Sequence, residues 1–331
     1  MIEGVRGQTE ERQWPRSAAI IGAGTMGLGV AETFAAAGIR TRISDQTPEL
    51  TRQAKDRLVK RVRGHAEAGL LAAEVIDRAV AVEVADDMPG AVRDADLVFE
   101  AVPENLPLKH DVLAVCAAGA PSEAVIVSNT SSLPMDELAK SVGHPERFLG
   151  MHWFNPPEWT PGVEVIPAAV TDPKAVERVV GFLRTIGKRP AVVASGPGFV
   201  ANRIQTALFL EALSCVEEGL ASPEEVDEVV RSTFGFRLPF FGPFQMADMA
   251  GLDVYLSVLQ TLRQGLGDRF EPPLALQELV EQGRTGTKSG AGFLTYSDEE
   301  RDRLLLERDR RYAALNELLE RLPPVKAGRN E

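Results

Sequence analysis

Ala18-Ala19-Ile20-Ile21-Gly22-Ala23-Gly24-Thr25-Met26-Gly27 is a short apolar run that breaks into G-x-G-x-x-G and opens the helical pattern of residues 28–37. In a strand–turn–helix unit of this kind the first glycine makes the tight turn. The second lets the backbone approach a pyrophosphate, and the third lets helix and strand pack closely. The first amides of the helix then face the phosphates. Gly22, Gly24, Thr25, Met26 and Gly27 are therefore the expected cradle of a dinucleotide. A second strand over residues 40–44 ends at Asp45, eighteen residues past Gly27 (45 − 27), where an acid bonds a ribose 2′-hydroxyl. A carboxylate there repels a 2′-phosphate, so NAD is expected over NADP. Arg40 and Arg42 just before it are the opposing signal, and a plain turn with a solvated Asp45 is the alternative.

The same alternation continues outward. Residues 96–102 read as a strand running into Pro103-Glu104-Asn105, with a helix carrying Leu108, Val112 and Leu113 after it. Residues 124–127 read as a buried strand ending in Ser128-Asn129-Thr130-Ser131-Ser132. Residues 148–151 form a strand that ends at His152, and 163–166 and 190–193 form two more. Strands alternating with helices predict an α/β class with a doubly wound sheet. Ligands of such sheets gather at the carboxyl ends of the strands. The acid, the hydroxyl cluster and the histidine all fall on the edge that carries the glycine loop.

Met151-His152-Trp153-Phe154-Asn155-Pro156-Pro157 is followed, twelve residues after the histidine (164 − 152), by Glu164. Histidine can take or give a proton near neutrality, and a carboxylate on its far nitrogen fixes the tautomer and favours the imidazolium. A satisfied core histidine is the alternative reading.

At 331 residues the chain exceeds one usual core, so two domains are expected. A net charge of −12 argues against nucleic acid as the main partner, because a phosphate backbone needs a basic face. Cys116 and Cys215 lie far apart, which argues against a disulfide framework or a thiolate metal site, and no metal is expected. No apolar run approaches a membrane span. Residues 1–16 are polar, lack the core of a signal peptide, and are expected to be a disordered extension. A cytoplasmic enzyme or binding protein fits this profile. One stretch is a local exception in charge: Arg52, Lys55, Arg57, Lys60, Arg61 and Arg63 crowd one helix. They make either a solvated helix face or an anchor for an anionic tail such as the phosphates of coenzyme A.

Taken together the motifs resemble the 3-hydroxyacyl-CoA dehydrogenase family over residues 18–296. They stand here as GAGTMGLGVA, FEAVPEN, SNTSSL, HWFNPP, GVEVI, PGFVANRI, GPFQMADMAGLD and TKSGAGF. The resemblance implies a Rossmann-type domain over residues 17–196 and an all-α domain over 197–331 through which the chain forms a homodimer. It implies NAD-dependent interconversion of a 3-hydroxyacyl group and its 3-keto form. His152 then matches the catalytic base and Glu164 its carboxylate. Ser131 and Asn202 match polar partners of the substrate oxygen, although Ser131 also reads as a helix cap and Asn202 as a helix-start residue. Asp45, Glu104, Lys109, Asn155 and Lys288 match residues that the family places around NAD.

Beyond the breaker Gly196-Pro197-Gly198 a long helix over 199–218 and a capping box at Ser222 are structural signals. The phenylalanine-rich run over 234–244 reads as core or dimer seam, and its one cation, Arg237, as a candidate partner for a substrate carboxylate. A last helix, capped by Ser297 and Glu300, is expected to pack on the helical domain or a partner subunit. Trp153 and Trp159 are expected to narrow the pocket beside the nicotinamide. Three functions remain open: a short-chain 3-hydroxyacyl-CoA dehydrogenase, a dehydrogenase of a free hydroxy acid or small polar alcohol (carnitine, gulonate or hydroxymethyl-pyridine acid), and a non-catalytic NAD(H)-binding protein.

Overall fold

The computed structural model describes residues 14–322. Most of the extension expected over residues 1–16 lies outside them. Trp14, however, is packed, its ring meeting Phe182 edge-on at 6.0 Å beneath Arg178. The chain forms two compact units, Met1–Leu208 and Phe209–Glu331.

The first unit is an eight-stranded sheet: β1 (Ser17–Ile21), β2 (Arg40–Ser44), β3 (Glu83–Val84), β4 (Leu97–Glu100), β5 (Val125–Ser128), β6 (Phe148–Trp153), β7 (Gly162–Pro167) and β8 (Arg189–Val192). Its order is β3-β2-β1-β4-β5-β6-β7-β8. Seven helices connect the strands: α1 (Thr25–Ala36), α2 (Pro48–Glu67), α3 (Glu74–Val80), α4 (Met88–Val92), α5 (Leu106–Gly119), α6 (Met135–Ala139) and α7 (Pro173–Thr185). Both faces of the central strands are covered, so β1, β4 and β5 are buried throughout. That is why they read as unbroken apolar runs.

The sheet is parallel except where β6 meets β7, which run antiparallel with His152 opposite Glu164. Strand β6 also runs further than the sequence suggested, carrying His152 and Trp153 inside the ladder. The strand alternation of side chains then sends the two to opposite faces. At the start of α1 a side chain at Gly27 would collide with the carbonyl of Gly22, and Gly22 itself sits at φ +92°. The turn therefore demands glycine at both positions.

Helix α8 (Ala201–Glu217) begins in the first unit and ends in the second. The second unit holds α9 (Pro223–Ser232), α10 (Phe234–Arg237), α11 (Pro243–Ala250), α12 (Leu252–Leu266), α13 (Leu274–Glu281) and α14 (Asp298–Arg321). Ser222 and Ser297 form the expected capping boxes with Glu225 and Glu300. Its buried apolar cluster is small, built on Ala247, Leu252 and Leu276. Tyr312 of α14 closes on Phe236 and Phe241 with ring centroids 5.3 and 6.0 Å away.

Candidate active site

His152 is 5% exposed, and its Nδ1 lies 2.9 Å from Glu164 Oε2. The other oxygen of Glu164 accepts the backbone N–H groups of Val200 (3.0 Å) and Ala201 (2.9 Å), at the start of α8. A carboxylate at a helix N-terminus is favoured by the helix dipole. Glu164 is thus held as an anion-like acceptor with its orientation fixed from both sides. Since Nδ1 is committed to Glu164, Nε2 is the nitrogen left for proton transfer. Phe154 and Phe199 bracket the imidazole, with ring centroids 4.4 and 5.7 Å away. Phe199 takes φ +50°, rare for a bulky side chain, and is buried. Residue-type reasoning had not singled it out as part of the site. The signal was its place in the Gly-Phe-Val-Ala-Asn turn.

A cavity of about 560 Å³ opens in front of the pair. Ser131, Asn129, Asn155 and Asn202 line it together with His152. Asn202 Nδ2 donates to the Ser131 carbonyl (3.2 Å), so its side chain reaches across to the serine loop rather than serving the helix start. Ser131 caps no helix, because α6 begins at Met135 with Pro134 as its N-cap residue and no side-chain cap. Asn129, which the sequence reading passed over, accepts the Trp153 N–H at 2.8 Å and so ties the serine loop to β6, the strand of His152.

Glu104 organises that loop. Its Oε1 accepts from Thr130 Oγ1 (2.5 Å), Ser131 N (3.0 Å) and Ser132 N (3.1 Å). Burial opposes its ionisation, but the Thr130 hydroxyl, the charge of Lys109 and the loop amides outweigh it and hold the carboxyl below its ordinary range. Lys109 is 1% exposed and donates to Glu100 Oε1 (2.7 Å) and the Val102 carbonyl (3.0 Å). It therefore lies under the groove wall, where the family resemblance had placed it around NAD. Lys288 belongs to the second unit, its Nζ 2.6 Å from Asp253.

A second cavity, about 590 Å³, runs along the glycine loop. Gly22, Gly24, Thr25, Met26 and Asp45 line it, and Asp86 and Asp87 add two further carboxylates that the sequence reading missed. Met26, Ala101 and Val102 wall both cavities, so the loop groove leads into the His152 chamber. A side chain at Gly24 would meet nothing within 4 Å, so the loop is open where a pyrophosphate has to approach. Asp45 Oδ2 accepts the Ala23 N–H at 2.9 Å. The two arginines that might have welcomed a 2′-phosphate are engaged elsewhere: Arg42 on Glu83 (2.8 Å) and Asp94 (2.5 Å), Arg40 on Asp94 (3.0 Å). The groove fits a dinucleotide with free ribose hydroxyls.

Several expectations about substrate residues are corrected. The Trp153 indole packs in the core, 6.1 and 6.3 Å from the rings of Phe34 and Phe99, on the face away from His152. Trp159 stands against His65 of α2, ring centroids 5.3 Å apart, and lines a separate cavity with Glu32 and Glu158. Trp159 is not among the residues around the His152 chamber, whereas Trp153 is one of them although its ring packs against Phe34 and Phe99. Arg61 turns inward to Glu32 at 2.7 Å, and Arg57 donates to the Ala23 carbonyl at 3.2 Å, whereas Lys60 and Arg63 remain exposed. Arg237 lies in the second unit beside a cavity of about 300 Å³ shared with Met246, Arg308 and Tyr312. Its buried Nε has no hydrogen-bond partner among the described residues.

Comparison with known proteins agrees with this geometry. Residues 17–196 match the 3-hydroxyacyl-CoA dehydrogenase NAD binding domain, and residues 198–296 the C-terminal domain of the same family. The chain is 37% identical over 308 residues to the 5-formyl-3-hydroxy-2-methylpyridine 4-carboxylate 5-dehydrogenase of Mesorhizobium japonicum, covering 92% of this chain and 98% of that one. It is 36% identical to a probable 3-hydroxybutyryl-CoA dehydrogenase of Bacillus subtilis, over 85% of this chain and 97% of the relative. The crystal structure of a 3-hydroxyacyl-CoA dehydrogenase from Archaeoglobus fulgidus superposes with a TM-score of 0.74 at 32% identity, covering 93% and 99% of the two chains.

Proposed function

The chain belongs to the 3-hydroxyacyl-CoA dehydrogenase family of NAD-dependent oxidoreductases, and on that premise we propose that it interconverts a short-chain 3-hydroxyacyl-CoA and its 3-keto form with His152 as the proton-transfer group. The observation that carries the reading is the His152–Glu164 pair, set in a chamber that shares walls with the glycine-loop groove.

NAD, which Gly22, Gly24, Thr25, Met26 and Asp45 would hold, would supply the acceptor for the hydride that leaves the carbinol carbon. The protein's part is the proton and the oxygen. In oxidation His152 Nε2 removes the hydroxyl proton, and Glu164 stabilises the imidazolium that results. General-base help of this kind contributes roughly 10²–10⁴ in rate. Asn202 has one amide hydrogen left after its bond to Ser131 and, with the Ser131 hydroxyl, can hold the substrate oxygen as charge develops on it. Asn155, on the chamber wall, is placed for the nicotinamide end. In reduction His152 returns the proton to the ketone.

A second reading, oxidation of a free hydroxy acid or small polar alcohol, is favoured by one observation. Arg57 and Arg61, two of the six cations of the expected CoA anchor, are committed to Ala23 and Glu32. Following NADH oxidation with acetoacetyl-CoA beside free keto acids separates the two. Turnover on the thioester supports the first reading, turnover on the free acids alone supports the second, and no turnover on either rejects both.

The second unit is proposed to dimerise. Phe209 (62% exposed), Leu210 (57%), Phe244 (60%) and Leu274 (74%) are far more open than side chains of their kind usually are. Apolar surface of that extent marks an interface, and sedimentation at micromolar concentration would report a mass of twice the chain.

A further inference from the structure

The hairpin loop between β6 and β7 joins the strand of His152 to the strand of Glu164, and it carries Asn155. A hairpin whose loop drifts lets its cross-strand pair drift too. A buried lysine and a half-buried arginine from elsewhere in the first unit close on this loop. Lys188, at the entrance to β8, is 6% exposed. Its Nζ donates to the carbonyls of Pro157 (2.5 Å) and Thr160 (2.9 Å) and lies 4.8 Å from the centroid of the Trp153 ring. An ammonium has three hydrogens, and two carbonyls and one aromatic face account for all of them. Burial pushes the Lys188 amine below its ordinary range, against the pull of Glu158, so holding it here has a cost that a surface lysine would not carry.

The second clamp comes from α1 and α2. Glu32 is buried and fixes Arg61 at 2.7 Å, and Arg61 stands 4.0 Å from Glu158 of the loop. Pro157 and Glu158 lie so close to α1 that a side chain at Gly29 would overlap both. The loop thus rests directly on the helix whose first turn forms the cofactor cradle.

We propose that Lys188 is a positioning residue of the active site: it holds the Pro157–Thr160 turn and Trp153 together, and so sets His152, Glu164 and Asn155 for proton transfer. The Glu32–Arg61–Glu158 chain is the weaker second clamp. The proposal rests on the reading of His152 as the proton-transfer group.

The test uses the full chain with Lys188→Met, which keeps the stem and removes the charge and donors, and Glu158→Ala, which releases the second clamp at the loop itself. Lys188→Met is expected to lower kcat roughly ten- to a hundredfold, since small misplacements of reacting groups are costly. The Kd for NADH should rise by far less than kcat falls, because the glycine loop is untouched and Asn155 is the one proposed cofactor contact on this loop, and the pH profile of kcat should shift with the altered pair. Glu158→Ala should lower kcat by about threefold to tenfold on the same scale. If both variants keep kcat and the pH profile of the parent, the proposal is overturned. It is equally overturned if Lys188→Met loses kcat, NADH affinity and thermal stability in step, as a merely structural lysine would. Should Lys188→Met fail to fold, Glu158→Ala decides by the same criteria. His152→Gln run in parallel separates the two levels: if that variant keeps turnover, the reading of His152 fails, and if it is inactive while the clamp variants are normal, only this inference fails.

Discussion

His152 and Glu164 are direct cross-strand partners at the junction of β6 and β7, the one antiparallel pairing in the sheet among the described residues, with Nδ1 2.9 Å from Oε2. Glu164 also accepts two amides of α8. Glu164→Gln keeps one acceptor oxygen for the α8 amides and turns an N–H toward His152 Nδ1, which selects the tautomer that carries the proton on Nε2 and removes the charge that favours the imidazolium. It should lower kcat by roughly 10²–10³, within the span of general-base effects, with NADH affinity unchanged. A variant with parental kcat would remove Glu164 from the mechanism.

Asp45 should govern the choice of dinucleotide. It lines the groove while Arg40 and Arg42 are held away by Asp94 and Glu83. Asp45→Ala should weaken NADH binding by about tenfold, the worth of one hydrogen bond to a charged group. It should narrow the preference over NADPH, because the repulsion of the 2′-phosphate is gone. Fluorescence titration with both dinucleotides measures it, and an unchanged ratio would count against the assignment.

Glu104 makes the serine loop sensitive to acid. Its carboxyl is held below the ordinary range by the Thr130 hydroxyl, Lys109 and the loop amides, which together outweigh burial. A depressed carboxylate contributes stability that is fully present above its unfolded pKa, about 4.3, and is lost as pH falls through the lower folded value. The protection of the Ser131 and Ser132 amides, taken against the intrinsic exchange rate at each pH, should therefore be flat from neutrality down to about pH 5 and fall below the unfolded pKa. Glu104→Gln should show the faster exchange already at neutral pH.

The basic face of α2 should divide by function. Arg61 holds Glu32, whereas Lys60 and Arg63 face solvent. If the substrate is a CoA thioester, Lys60→Gln with Arg63→Gln should raise its KM severalfold and leave a simple thioester unaffected. Arg61→Gln should impair both alike. Equal effects of the paired Lys60 and Arg63 variant on the two substrates would dismiss the CoA anchor.

Cys116 should be inert in the native protein. Burial pushes its thiol up to about 12, with the nearby charge of Glu100 adding to the effect, so almost no thiolate exists at neutral pH. Alkylation with iodoacetamide followed by mass spectrometry should find it unmodified until denaturant is added.

The division between what was readable and what was not follows the range of the interactions. The glycine turn was legible because its demands are local: a positive φ at Gly22 and a missing side chain at Gly27 concern residues a few places apart. Strand β3, two residues long, left no apolar period to read. The direction of the Trp153 indole was not legible because β6 runs on through Trp153, past the end expected at His152, and a strand alternates its faces at every step. Arg61 was read either as part of a solvated face or as part of an anionic-tail anchor because its partner, Glu32, sits on another helix and carries no signal at that distance.

By itself the sequence determined the alternation of strands and helices apart from β3, the cofactor turn, and the candidates for the site: His152, Glu164 and Asp45 from residue type and neighbourhood, Ser131 and Asn202 from the family resemblance. Tertiary structure alone decided how they meet. It set the antiparallel register that pairs His152 with Glu164, the α8 amides that hold Glu164, and the Glu104 hub beneath the serines. It also set the turn of Arg61 and Lys188 toward the hairpin loop. Propensity and capping act within a turn of chain. Hydrogen bonds and ion pairs between distant residues exist only once the backbone has brought them together, and the His152–Glu164 geometry is built from that second kind.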